Sequence, residues 1–289
     1  MNLSRLVVLL LSTALSLPVF AQDSKEEINK ELRFGSSSSD NHLTVQNING
    51  SISIEGYSGN SIQVIATKEI HGDNSAGLKK GKEEIQLRFA ERGNKVFVYL
   101  ETPMNQYDVE KGKYKSWEEN RKYEKPDYRY LVDISIRVPR NSNLKVNTMN
   151  DGDVLIKDVQ AKDLHVSNLN GAINMENVAG KTYVNALNKD ITISYASNPT
   201  EESVFKSLNG DIRVNLASAI NADVTFKTLN GDFYTDMETE MVPQKMSQSK
   251  KEYGKGTKYK LSKNEIFRIG NGGVKLHFDL LNGDVMLKK

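Results

Sequence analysis

Five aspartates, Asp153, Asp190, Asp211, Asp232 and Asp284, each close a recurring Leu-Asn-Gly-Asp string or a near variant of it. If the strings stack, neighbouring carboxylates come within about 5 Å, close enough to raise a pKa or to trap a cation. A polysaccharide-active enzyme on a β-helix would need such clustered carboxylates. Two facts weigh against that chemistry: Ser51 and Ala172 interrupt the column, and Asp after Asn-Gly is ordinary turn chemistry. The histidines His42, His71, His165 and His277 are isolated from one another, whereas a zinc site needs three or four converging ligands. No nucleophile-elbow motif occurs, and Gly254-Lys255-Gly256-Thr257 lacks the Walker spacing. The expectation is a chain without catalytic residues, metal or cofactor.

The string occurs as Ile48-Asn49-Gly50-Ser51, Met149-Asn150-Asp151-Gly152-Asp153, Leu169-Asn170-Gly171-Ala172, Leu187-Asn188-Lys189-Asp190, Leu208-Asn209-Gly210-Asp211, Leu229-Asn230-Gly231-Asp232 and Leu281-Asn282-Gly283-Asp284. On both sides of it apolar and polar residues alternate, the mark of strands with one buried face. Upstream, one apolar column reads Val45, Val146, Val166, Val184, Phe205, Phe226, Phe278. A looser column beside it reads Leu43, Leu144, Leu164, Thr182, Ser203, Val224, Leu276. Downstream the inward positions are Ile52, Val154, Ile173, Ile191, Ile212, Phe233 and Val285. A slip of one residue would destroy this agreement. Directly before the Leu runs a column of small or polar residues, Asn47, Thr148, Asn168, Ala186, Ser207 and Thr228, broken only by Leu280.

Such columns predict an all-β, parallel β-solenoid with rungs of about 20 residues, because stacking puts like on like. Asn49, Gly50, Asn170, Gly171, Asn209, Gly210, Asn230, Gly231, Asn282 and Gly283 are the structural turn residues. The asparagines would form an amide ladder and the glycines would occupy a corner at φ > 0. Asn-Gly between alternating strands also signals hairpins, so an antiparallel β-meander or sandwich is the alternative. Lys189 replaces a corner glycine, and Asp151 adds a residue as a bulge would. Further strands are expected at 61–70, 85–90, 95–101 and 130–138.

Residues 1–21 read as a secretory signal: Arg5, then the apolar stretch 6–17, then Val19-Phe20-Ala21 before a cleavage after Ala21. The chain is therefore expected in the periplasm or secreted, with no membrane span in the mature part. Residues 22–41, with their serine run, are expected as a flexible lead-in, and 42–289 as the solenoid domain. An exported chain with no cysteine has no disulfide framework, so an extended core must supply stability. With 39 basic against 37 acidic residues, no nucleic-acid footprint is expected.

Two insertions interrupt the pattern. Residues 102–129 are dense in charge and carry Tyr107, Tyr114, Trp117, Tyr123 and Tyr128. Residues 238–264, which occupy the place of a repeat, are rich in lysine, including Lys250, Lys251, Lys255 and Lys258. Insertions in repeat folds map to loops, often on a binding face, so these nine residues are the candidate binding residues.

The Val138-Pro139 strand end, then Leu144-Lys145-Val146-Asn147, the Asn-Gly-Asp repeats and the closing Ile269-Gly270-Asn271-Gly272-Gly273 carry a resemblance. The chain resembles the "putative adhesin" β-strand-repeat family of bacterial envelope proteins, related to autotransporter-adhesin head domains, from about Leu43 onward. That resemblance implies a β-solenoid-like domain and no catalytic residues to carry over. The expected role is an exported, non-enzymatic scaffold or adhesin-like interaction protein that binds an envelope protein, glycan or surface, and that self-associates through its solenoid ends. Alternatives are a polysaccharide-active enzyme and an accessory to envelope-stress sensing.

Overall fold

The computed structural model describes residues 22–36, 38, 40–115, 125–242, 247–253, 256–262 and 265–289. The chain opens with β1 (Gln22–Leu32), β2 (His42–Gln46), β3 (Ile52–Tyr57), β4 (Ile62–Gly72) and helix α1 (Ser75–Glu84). Next come β5 (Gln86–Arg92), β6 (Lys95–Glu101), the short pair β7 (Tyr107–Asp108) and β8 (Lys113–Tyr114), and β9 (Tyr128–Pro139). The regular run comprises β10 (Asn143–Thr148), β11 (Val154–Lys157), β12 (Gln160–Asn168), β13 (Ile173–Ala186), β14 (Ile191–Tyr195), β15 (Ser203–Asn209) and β16 (Ile212–Asn215). The chain continues through β17 (Ala222–Lys227), β18 (Phe233–Thr235), β19 (Thr239–Val242), β20 (Ser247–Tyr253) and β21 (Gly256–Ser262). It closes with β22 (Glu265–Ile269), β23 (Val274–Asn282) and β24 (Val285–Lys288).

The structure is all-β apart from α1, and its large sheet is mostly parallel and curls on itself. The strands before the corners, with β6 at one edge, pair in parallel along one wall, in the spatial order β6, β2, β10, β12, β13, β15, β23, β17. The strands after the corners, with β9 at one edge, form the opposite wall, in the order β9, β3, β11, β13, β14, β16, β24, β18. β13 serves both walls. Parallel pairing of successive units rules out the antiparallel meander and gives a β-solenoid-like fold.

The core is the space between the walls, filled by the columns read from the sequence. Val45 pairs with Val146, Val146 with Val166, Val166 with Val184 and Val184 with Phe205, in register. All five are fully buried. Across the corner, Ile52, Val154, Ile173, Ile191 and Ile212 align in the same way and are equally buried. Burying such side chains yields roughly 1.5–3 kcal/mol each, the main drive for stacking.

Three expectations need correction. First, residues 22–32 are not a flexible lead-in: β1 pairs antiparallel with β4 along its whole length. It covers the backbone edge of β4 and presents a charged face that protects the new edge. Second, α1 lies in a stretch read without any element. Asn74 caps it by accepting the Gly77 N–H at 2.9 Å. Gly77 and Gly81 let it sit tight against the sheet, where a Cβ on Gly77 would lie 2.2 Å from the Asp127 carbonyl oxygen. Third, the copies do not stack in sequence order: the last unit, β23–β24, lies between β15–β16 and β17–β18. Residues 238–264 therefore displace no rung. β22 lies antiparallel on the outer edge of β17, β19 pairs antiparallel with β22, and β20 and β21 form a separate antiparallel pair.

Candidate binding groove

The Asn corners form a continuous ladder. Each side-chain Nδ2 donates to the Oδ1 of the rung before it: Asn150 to Asn49, Asn170 to Asn150, Asn188 to Asn170, Asn209 to Asn188, Asn282 to Asn209, and Asn230 to Asn282, all at 2.7–3.1 Å. The corner glycines answer two different demands. Gly50, Gly231 and Gly283 have φ of 121°, 154° and 127°. Gly171 and Gly210 do not have positive φ; a Cβ there would meet the preceding rung's carbonyl oxygen at 1.9 and 2.3 Å. Close approach of backbones, rather than handedness, selects glycine at those two positions.

Four of the five column aspartates are engaged by a neighbouring rung's backbone. Asp153 accepts the Ala172 N–H, Asp190 that of Asp211, Asp211 that of Asp284, and Asp284 that of Asp232, at 2.7–3.0 Å. Asp133 does the same for Ser51. Arg213 bridges Asp190 and Asp211 at 2.7 and 2.6 Å. Partial burial would raise the Asp190 pKa, but the Arg213 guanidinium and the Asp211 N–H outweigh it and hold the carboxyl below its usual value. Among the described residues no group of three or more His, Asp or Glu could hold a metal ion.

The aromatic insertion is where sequence and structure part most clearly. Tyr107 and Tyr128 are buried and Tyr114 is half-buried. Tyr107 packs against Phe97, Tyr99 and Tyr114 with ring centroids 5.1–6.5 Å apart. The Tyr114 hydroxyl donates to the Leu100 carbonyl at 3.1 Å. Together these rings make a second apolar layer on the outer face of the β6 and β2 wall, burying Phe97, Thr44 and Gln46 beneath it. Tyr128 starts β9, packs on α1 and donates to Glu84 at 2.6 Å. Of the other candidates, Trp117, Tyr123 and Lys255 lie outside the described residues. Lys250 and Lys251 fall on β20 and Lys258 on β21.

What this layer creates is an open groove of about 700 Å³ between itself and the wall. Its floor comes from His42 and Thr44 on β2, Lys145 on β10, and Asp163 and His165 on β12. Its rim comes from Arg92, Lys95, Glu110 and Lys111, and Tyr107 and Phe97 close its inner end. Lys145 reaches the Gly112 carbonyl at 3.3 Å, tying floor to rim. His165 stacks on Tyr183 with centroids 4.4 Å apart. Burial, then the nearby Lys145, lowers its pKa, so the imidazole is neutral at neutral pH. The Tyr107 hydroxyl is buried with no hydrogen-bond partner among the described residues, and burial pushes its pKa up to about 12. Sequence reading missed the groove because His42, Arg92, Lys145 and His165 are far apart in the chain and only the register assembles them.

The Toastrack DUF4097 family pattern matches residues 35–265. This chain belongs to the Toastrack DUF4097 family. The match includes the groove and six of the seven corners, stopping short of β23–β24. A solved "putative cell adhesion protein" from Clostridium sporogenes aligns over 92% of this chain and 99% of its own, at 9% identity and a TM-score of 0.43. A "putative adhesin" from Bacteroides fragilis aligns over 91% and 98%, at 10% identity and a TM-score of 0.29. No curated protein matches the chain.

Proposed function

We propose that this Toastrack chain is an exported, non-enzymatic scaffold of the cell envelope whose groove binds an acidic glycan. One observation carries the reading: Arg92, Lys95, Lys111 and Lys145 surround an open groove whose described lining holds two carboxylates, Glu110 and Asp163. Cations of this kind pair with a ligand's carboxylates. The neutral His165 imidazole and Asp163 suit a ligand rich in hydroxyls. The competing reading, a polysaccharide-active enzyme, loses four of its five aspartates, because Asp153, Asp190, Asp211 and Asp284 already accept backbone N–H groups. Export and the cleavage after Ala21 rest on the sequence of residues 1–21, which lie outside the described residues. No helix among the described residues is long and apolar enough to cross a membrane.

Titration calorimetry with polygalacturonate oligomers is the direct test. Wild-type protein should bind at low salt and weaken as salt screens the cations. Arg92→Glu with Lys145→Glu should weaken binding about tenfold or more, the equivalent of one charge-assisted hydrogen bond. Equal binding by wild type and variant would remove the groove from the proposal. Shortening of the oligomers during incubation would favour the enzyme instead.

A further inference from the structure

The out-of-order rung carries its own signs of frustration. In the polar column beside the corner, the Thr148 hydroxyl donates to the Gly50 carbonyl. The Asn47 amide reaches the Gly50 and Val132 carbonyls, and the Asn168 amide those of Gly152 and Ala172. The column fails in one place. Ser207 Oγ and Thr228 Oγ1 are buried with no hydrogen-bond partner among the described residues. Leu280 of β23 stands between them: it is the register partner of Ser207 on one side and lies level with Thr228 on the other. Buried polar atoms are satisfied in the great majority of cases, so two orphans flanking one apolar residue call for an explanation.

Removing β23–β24 supplies it. Phe205, Phe278 and Phe226 occupy one register position, as do Asn209, Asn282 and Asn230. β17–β18 can therefore stack directly on β15–β16, with the Asn ladder unbroken and Ser207 opposite Thr228 within hydrogen-bond reach. β22 holds the other edge of β17 and would move with it, so that edge stays paired. The connection from β22 to β23 is also built as a hinge. It crosses the start of β17 through Gly270, Gly272 and Gly273, with φ of 57°, 71° and 146°. It is held there by Asn221, whose Oδ1 accepts the Asn271 N–H at 3.0 Å.

We propose that β23–β24 is an exchangeable rung, and that the slot between β15–β16 and β17–β18 is filled by the equivalent rung of a second copy of this chain. The donor makes the same contacts in either copy, so exchange joins two molecules at little loss of contact, as in domain swapping.

The chain has no cysteine, which gives a clean background for trapping. Asn215 and Lys288 are exposed register partners on β16 and β24, at a separation a disulfide spans. The double variant Asn215→Cys/Lys288→Cys should close an internal disulfide, confirming the register. Single variants Asn215→Cys and Lys288→Cys, incubated together at high concentration and then oxidised, should yield a mixed disulfide dimer. The yield should be several-fold above that from Lys25→Cys with Lys288→Cys. Ser207→Ala/Thr228→Val removes both orphans and the bond that rewards release, so it should slow dimer accumulation about tenfold. Hydrogen exchange should show β23 and β24 opening while β14 stays protected. A mixed yield no higher than the control, or equal protection of β24 and β14, would overturn the proposal.

Discussion

The run from β10 to β16 and the end from β17 to β24 are built from the same unit, yet only the first follows its own sequence order. In the run, the rungs that open at β10 and β12 bring a buried valine, a corner Asn and a polar residue, Thr148 or Asn168, that all find partners. Toward the end, aromatic residues fill the core instead: Phe205 of β15 stacks on Phe278 at 4.7 Å, and Phe233 on Phe267 at 5.3 Å. A leucine occupies a place in the polar column, and Leu229 is 71% exposed. Agreement between columns decides that units stack, but it does not decide which copy stacks on which. Interchangeable copies leave the order to the connections between them.

The largest expected contrast is in the core. Phe205→Ala, in a fully buried position, should cost about 3–5 kcal/mol in urea unfolding, whereas half-buried Phe226 should cost clearly less. Equal costs would mean that the end is packed as tightly as the run. Next comes the corner. Gly171→Ala forces a Cβ against the Gly152 carbonyl and should cost about 1–3 kcal/mol or more. Gly93→Ala, with nothing within 4 Å, should cost only the strain of its φ of +58°, about 1 kcal/mol. A Gly171→Ala protein as stable as Gly93→Ala would show that the rungs are less closely stacked than described.

The polar column separates the two regions more finely. Thr148→Val should destabilise by about 1 kcal/mol, since it removes a made hydrogen bond. Ser207→Ala/Thr228→Val should be neutral or stabilising, because both hydroxyls are already without partners. Thermal melts of the two variants, compared with wild type, read the difference directly.

The smallest effect is electrostatic. Asp190 has a lower pKa folded than unfolded. Its stabilisation is present above the unfolded value, near 4, and is lost as pH falls through the folded one. Arg213→Met should therefore narrow the stability gap between pH 7 and pH 3. The pair is about half exposed, so the change should stay under about 1 kcal/mol. An unchanged gap would leave the aspartate column stabilised by its backbone bonds alone.

The groove was the least legible part. Its residues sit at alternate outward positions of β2, β10 and β12, where polar residues carry no periodic signal beyond facing solvent. The tyrosines of 102–115 stand out in sequence as binding residues because they are aromatic side chains in a charged insertion. Their partners, Phe97 and Tyr99, were hidden in a strand whose outward face looked exposed. The α1 glycines serve close packing and weaken the helical pattern, so the sequence alone does not mark the helix.

By itself, the sequence determined the unit: two strands, a corner that demands Asn and Gly, and the inward columns. Period-2 alternation and side-chain amide geometry are local properties, copied seven times. Only the tertiary structure decided that β23–β24 stacks ahead of β17–β18, and that a layer of tyrosines encloses a cationic groove. Both depend on where a glycine hinge and a long excursion bring distant segments together, and strands with matching columns accept either neighbour equally well.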